Sequence, residues 1–394
     1  MINQTRKKVC QGLKILGASR TGFLALHLPK SAISWVTQRT GAARFVDVAT
    51  EMTSTWTQRL TMDSSMFSSS PTPEPDSIAW NFVNAYFEES DEIIYGVVYR
   101  PDLESNLRAY FRGELTLLND SAGQALRNTV YASGCRIYLA KNSDLGFQDL
   151  QRLEWMYFPN DLAELTKVLF TANSLLSIRA IMTMTFAGGL GCPSPEYLLC
   201  ANALRVAQAK GLHRQPARDW NMSENEAIYD DYITCHIPEY VLKQLLSVKG
   251  QRQSPALLLE MVMDLDSQLC AWRDSLPKEL QLADDLKSFQ IDAEARPGVK
   301  MAVHYEYYCT LIYIHIIIVY PWISSTSFGQ NDVESFRAQI RQTSDVVHSC
   351  ARNILIMAKG LEIKPNTTKW AAFYVPMLGL INLLFTFSKT LGTS

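Results

Sequence analysis

The sequence predicts an all-α fold: a large multi-helix domain behind a poorly ordered Ser/Pro-rich linker near the N-terminus. Three observations predict it. Apolar residues recur at helical spacing in one segment after another. Several segments carry start and stop signals, such as Ser194-Pro195, Gly211 and Ser254-Pro255. Strand-like alternation is scarce throughout, and no internal repeat of fixed period is visible.

Residues 1–76 form the N-terminal segment and linker. KSAISWVTQRTGAARF, at 30–45, holds the aromatic-aliphatic pair Trp35-Val36 and a turn signal at Thr40-Gly41. SSMFSSSPTPEPDS, at 64–77, is too polar to bury the apolar surface that would offset its ordering entropy, and so reads as linker.

The helical domain spans 77–390. Asp76 is the expected N-cap of a helix whose Ala79, Phe82, Val83 and Tyr86 share a face. The acidic run Glu88-Glu89-Ser90-Asp91-Glu92 reads as a solvated helix end and loop. Arg100-Pro101 opens the next helix, with Leu103, Leu107, Tyr110 and Phe111 on its apolar side. The stretch from Leu162 to Leu190 reads as almost unbroken helix, ending in Gly188-Gly189-Leu190-Gly191.

SPEYLLCANALRVAQAKGLHRQP, at 194–216, carries signals at both ends. Ser194 is the expected N-cap, Pro195 suits the first helical position, and Glu196 suits the positive end of the dipole. Tyr197, Ala201, Leu204 and Gln208 share one face, and Gly211 suits a left-handed C-terminal cap before Leu212. Ser254-Pro255 begins another helix with Leu258, Met261, Val262, Leu265, Leu269 and Trp272 in its stripe, and Leu276-Pro277 stops it. Three further helices are expected near 300–320, 333–359 and 370–388.

Composition bounds the function. The chain has 394 residues, 47% hydrophobic and 19% charged, which is ample for a large core. A formal net charge of −2 gives no overall field that would attract nucleic acid. Cys10, Cys135, Cys192, Cys200, Cys235, Cys270, Cys309 and Cys350 are scattered without close pairs, and no signal peptide is visible. They read as buried free thiols in a reducing compartment. Arg6-Lys7-Lys8 reads as a solvated terminus, with a nuclear-import signal as the alternative. YYCTLIYIHIIIVY, at 307–320, falls short of the roughly 20 residues that a bilayer needs, carries His315, and follows His304 and Glu306. It reads as a buried helix, and no membrane contact is expected.

No catalytic constellation emerges. His27, His213, His236, His304, His315 and His348 form no HExxH pattern. His304 and His315 fall on nearby faces of one helix but three turns apart, so they cannot share a metal directly. No GxGxxG, GxxxxGK[ST] or GxSxG motif occurs. Cys192 and Cys200 have a spacing unlike any zinc-ligand pair. Asp230-Asp231 resembles part of the DDxxD motif of helical terpenoid synthases, which holds magnesium and diphosphate. Thr234 stands where the third acid belongs, and no second metal motif is present, so a cap or turn role is expected for the pair. The sequence therefore assigns no catalytic, cofactor-binding, metal-ligating or DNA-contacting residue, and predicts a protein that is not an enzyme.

Several segments, in order, resemble the middle homology region of fungal zinc-cluster transcription factors. They are AWNFVNAYFEESDEIIYGVVYRPDLESNLRAYF (79–111), the helix pair at 174–214 ending in Gly211-Leu212-His213-Arg214, Trp220 with Ser223-Glu224-Asn225-Glu226, LCAWRDSLPKEL (269–280), and the tyrosine-rich HYEYYCTLIYIHIIIVYPW (304–322). WVTQRTGAARF, at 35–45, is similar to sequence that precedes this region in some members. The resemblance implies a regulatory domain that restrains or relays activation, nuclear location, protein partners such as DNA-bound regulators or coregulators, and a possible small-molecule effector.

Two departures qualify it. The family's DNA-binding module holds two zinc ions on six cysteines, and the cysteine after Cys10 here is Cys135, so direct zinc-dependent DNA binding is not expected of this chain. The family also continues from Ser-x-x-Glu into an Arg-rich helix and a Gly-Arg-Pro turn, whereas Glu226 leads here into AIYDDYITCHIPEY. One or two helices are expected to be missing near 227–230. The predicted function is that of a fungal transcriptional regulator. The alternative is an interaction-only or degenerate remnant of such a factor, and an α-helical enzyme of terpenoid-cyclase type comes last.

Overall fold

The computed structural model of the chain describes residues 30–41, 44, 46–47, 51, 76–90, 92–93, 96–170, 174–186, 193–209, 253–274, 276, 278–281, 297–320, 324, 328–364, 367 and 370–390. The protein is all-α, and the described residues contain no strand. They belong to two compact units. One unit comprises Leu60–Cys235 and Ile363–Lys369, and the other comprises Met1–Arg59, His236–Glu362 and Trp370–Ser394.

The first unit contains α2 (Ala79–Glu89), α3 (Arg100–Phe111), α4 (Ser121–Asn142), α5 (Phe147–Phe170), α6 (Leu175–Phe186) and α7 (Pro193–Ala209). The central helix α4 packs on α2, α5 and α6, and α6 packs on α7. It starts where Asp120 accepts a hydrogen bond from the Gly123 amide at 2.7 Å, satisfying one of the helix's orphan donors. A Cβ on Gly134 would lie 2.0 Å from the Phe82 carbonyl oxygen, so only glycine lets α4 approach the α2 backbone this closely. Around the crossing, Phe82 meets Tyr138 and Tyr157 edge-on, with centroids 5.9 and 6.4 Å apart.

The helix expected from Leu162 to Leu190 is two helices. α5 ends at Phe170, and Ser174 begins α6, exchanging hydrogen bonds with Ser177: each hydroxyl accepts from the other's amide. A serine that caps a backbone amide competes with helix continuation, and periodicity alone does not register that. α7 begins at Pro193, one residue before the expected cap, and its fully buried face is Leu199, Ala203, Leu204 and Ala207. Ala201 and Gln208 are only half-buried. On α3 the buried stripe stops at Leu107, leaving Tyr110 half-buried and Phe111 exposed. The acidic run also divides. Glu88 and Glu89 are exposed, but Ser90 and Glu92 are buried.

The second unit contains α1 (Lys30–Thr40), α8 (Pro255–Asp274), α9 (Pro297–Val319), α10 (Gln330–Ser335), α11 (Arg337–Lys359) and α12 (Val375–Thr390). In α8, Leu258, Leu259, Val262, Leu265, Leu269 and Trp272 are buried, and Ser254 accepts a weak hydrogen bond from the Leu257 amide at 3.4 Å. α9 packs against α8, α11 and α12. Its stretch Lys300–Val319 is long and apolar enough to cross a bilayer, exceeding the run that the sequence suggested, yet Met301–Val319 is buried and Lys300 half-buried. Phe336 separates α10 from α11, where one helix over 333–359 was expected. A π-turn at Trp370–Tyr374 precedes α12. Pro376 has no amide to donate back into that turn, which favours irregular bonding there.

The linker at 64–75, Gly188–Cys192, Gly211–Arg214, Trp220, Ser223–Glu226, the expected gap near 227–230 and Asp230-Asp231 lie outside the described residues.

Candidate functional site

A group of polar side chains in the second unit lies where α8 faces α9. Asp266, Cys270 and Arg273 stand at i, i+4 and i+7 on α8, one flank of its apolar stripe. The Cys270 thiol lies 3.5 Å from Asp266 Oδ1 and 3.7 Å from the Tyr307 hydroxyl, and Arg273 Nη1 donates to that hydroxyl at 3.1 Å. His315 is buried and stands 3.6 Å from Asp266 Oδ2, ion-pair range beyond a good hydrogen bond. The imidazole of His315 beside Asp266 holds its carboxyl below the usual range, against the opposing effect of burial.

The other histidine of α9 is also internal. His304 Nε2 lies 2.5 Å from the Leu280 carbonyl oxygen. A carbonyl only accepts, so Nε2 carries the proton in the neutral ring. Burial pushes the His304 pKa down to about 4, although the Leu280 carbonyl works in the opposite direction. Elsewhere on α9 burial pushes the Tyr305, Tyr307 and Tyr313 phenols and the Cys309 thiol up, and it pushes Tyr308 up to about 12. Tyr320, just past the helix, donates to Asn382 Oδ1 on α12 at 2.8 Å.

The first unit encloses an arginine–glutamate pair and a second arginine. Arg136 of α4 and Glu154 of α5 meet at 3.4 Å with both side chains almost wholly enclosed. Ser133 donates to Glu92 Oε1 at 3.0 Å. Arg127 donates to the Leu118 carbonyl at 3.1 Å and lies over the Tyr110 ring at 4.1 Å. Burial, then the Glu154 charge, pushes the Cys135 thiol up to about 12.

These groups are poor candidates for nucleophilic work. A nucleophilic or metal-binding cysteine needs a stabilised thiolate, and Cys135, Cys270, Cys309 and Cys350 are all shifted the other way, chiefly by burial. The described cysteines stand singly on α4, α7, α8, α9 and α11. Among the described residues, no group of three His, Cys, Asp or Glu could hold a metal ion, so these side chains do not fit a zinc cluster. The structure places His304 and His315 in the core with different partners. The α8 triplet was missed in the sequence. Its signal was a polar i, i+4, i+7 set flanking an apolar stripe.

Two curated relatives resemble the chain. An ABC-transporter-regulating transcription factor of Aspergillus oryzae (strain ATCC 42149 / RIB 40) is 22% identical over 448 aligned positions, covering 95% of this chain and 48% of the relative. An identically named protein of Aspergillus fumigatus (strain ATCC MYA-4609 / CBS 101355 / FGSC A1100 / Af293) is 23% identical over 322 positions, covering 65% of this chain and 35% of the relative. The chain is similar to fungal transcription factors. It spans about half the length of one relative and about a third of the other. No family model matches it, and no solved structure matches it.

Proposed function

We propose that this chain is the regulatory part of a fungal transcriptional regulator, of the kind found in the middle of zinc-cluster factors, and that it acts in the nucleus on genes for ABC-type transporters. The observation that carries this reading is similarity along 95% of the chain to a factor named for that regulation. The mechanism is indirect. The helical units associate with a DNA-bound regulator or coregulator and change its activity, and a small-molecule effector can bias that association. The relatives are named as regulators, which favours regulation over catalysis. Transcript profiling after deletion of the gene tests the reading. A defined set of transcripts, with exporter genes among them, is expected to change. An unaltered transcriptome under every condition that expresses the protein overturns it.

The second reading is an interaction-only protein or a degenerate remnant. The alignment to the Aspergillus oryzae relative runs over 448 positions, more than the 394 residues of this chain. The relative therefore carries residues with no counterpart here, and this reading takes one or two helices near 227–230 to be among them. Removing a packed helix exposes its neighbours' apolar faces. A remnant is expected to unfold without a cooperative transition, and a sharp calorimetric transition in purified protein argues for a folded, working domain. The terpenoid-cyclase reading requires magnesium-dependent turnover of prenyl diphosphates that is lost in Asp230→Ala.

A further inference from the structure

We propose that α1 is a releasable strap on α12, with Trp35 as its latch. The strap joins positions 350 residues apart: the Trp35 ring meets Phe385 edge-on, with centroids 6.4 Å apart. Phe385 in turn meets Tyr320 edge-on at 5.4 Å, and Tyr320 is tied to Asn382. Ala32 is completely buried, and Ile33, Trp35 and Val36 are half-buried, while Ser34 and Gln38 are exposed. One face of α1 is therefore seated.

Two properties make this seat conditional. At 11 residues, α1 is shorter than the roughly 12–15 residues at which isolated helices become even marginal in water. Its β-branched Ile33, Val36, Thr37 and Thr40 lower its propensity further. Helicity in α1 thus depends on docking, and undocking and unwinding are one event. The helix beneath carries no charged residue up to Phe387, its polar groups there being Asn382 and Thr386. Phe373, Leu380 and Leu384 are already 41%, 42% and 60% exposed. When α1 leaves, the edge of Phe385 that Trp35 meets adds to the apolar surface already open at Leu380 and Leu384. The strap sets how much apolar surface α12 presents.

Hydrogen exchange on the full chain tests this, comparing the wild type with Trp35→Ala and Trp35→Phe. In the wild type, amides of 34–40 are expected to exchange at least about tenfold faster than the buried turns of α9. Trp35→Ala is expected to speed exchange about tenfold in both α1 and 382–386, in line with the loss of one aromatic contact, while α4 stays unchanged. Trp35→Phe keeps an aromatic edge and restores most of the protection. The proposal is overturned if wild-type α1 exchanges only as slowly as α9. It is equally overturned if Trp35→Ala leaves α12 unaltered.

Discussion

Inside the α2–α7 unit, Arg136 and Glu154 face each other with both side chains enclosed, whereas around α9 burial raises the pKa of phenols and thiols and lowers that of the His304 imidazole. The two solutions differ in what they leave vulnerable. A buried ion pair holds only while both partners remain, because a lone charge cannot be resolvated. A buried imidazole such as His304 contributes only while it stays uncharged, so its contribution depends on pH.

The helix crossings differ in the same spirit. At Gly134 an added methyl meets backbone, the Phe82 carbonyl at 2.0 Å. At Gly379 it meets Ile354 Cγ2 at 2.9 Å and the Ala351 carbonyl at 3.1 Å, a milder clash than at Gly134.

Removing one partner of the ion pair is expected to have the largest effect. Glu154→Ala should destabilise the α2–α7 unit by about 3–5 kcal/mol, leaving Arg136 charged in the interior, as read by the calorimetric transition of that unit. A loss within the range of an exposed pair would contradict the contrast between the units. Gly134→Ala comes next, at about 3 kcal/mol, because α2 and α4 must part to admit the methyl group. A variant as stable as the wild type would show that the crossing is looser than described.

The pH response sharpens the comparison. The His304 pKa is lowered from 6.5 to about 4 in the folded protein, so the unfolded chain binds the proton first as pH falls. The stability from the neutral ring is present in full above pH 6.5 and is lost as pH falls toward 4, up to about 3 kcal/mol. Denaturation across this window should show the loss in the α9 unit, and His304→Gln should flatten it. An equal slope in both variants would assign the effect elsewhere. The smallest expected change is Gly379→Ala, about 1–2 kcal/mol as Ile354 shifts, measured by the same melts.

Much of the fold was legible in the sequence because helix stripes and caps are local. Of the stripe read for α8, Leu258, Val262, Leu265, Leu269 and Trp272 are buried and Met261 half-buried, and the Pro101 start of α3 is where it was expected. The misses have local causes of another kind. Ser174 and Ser177 divide an apolar run by capping, and Glu92 looks solvated until Ser133 is brought 41 residues back to meet it. The polar interior was illegible for the same reason: Asp266 and His315, or Arg136 and Glu154, become partners only through packing. Similarity to regulators was carried instead by the order of short motifs, which needs no contact map.

Chromatin association of the full-length protein, tagged in its native cell, is the most direct test of the proposed regulation of transcription. Crosslinking followed by sequencing is expected to recover a discrete set of promoters, those of membrane exporters among them, whether the protein reads DNA or reaches it through a partner. Recovery no higher than that of an untagged control, under every condition in which the protein is present, would contradict the account.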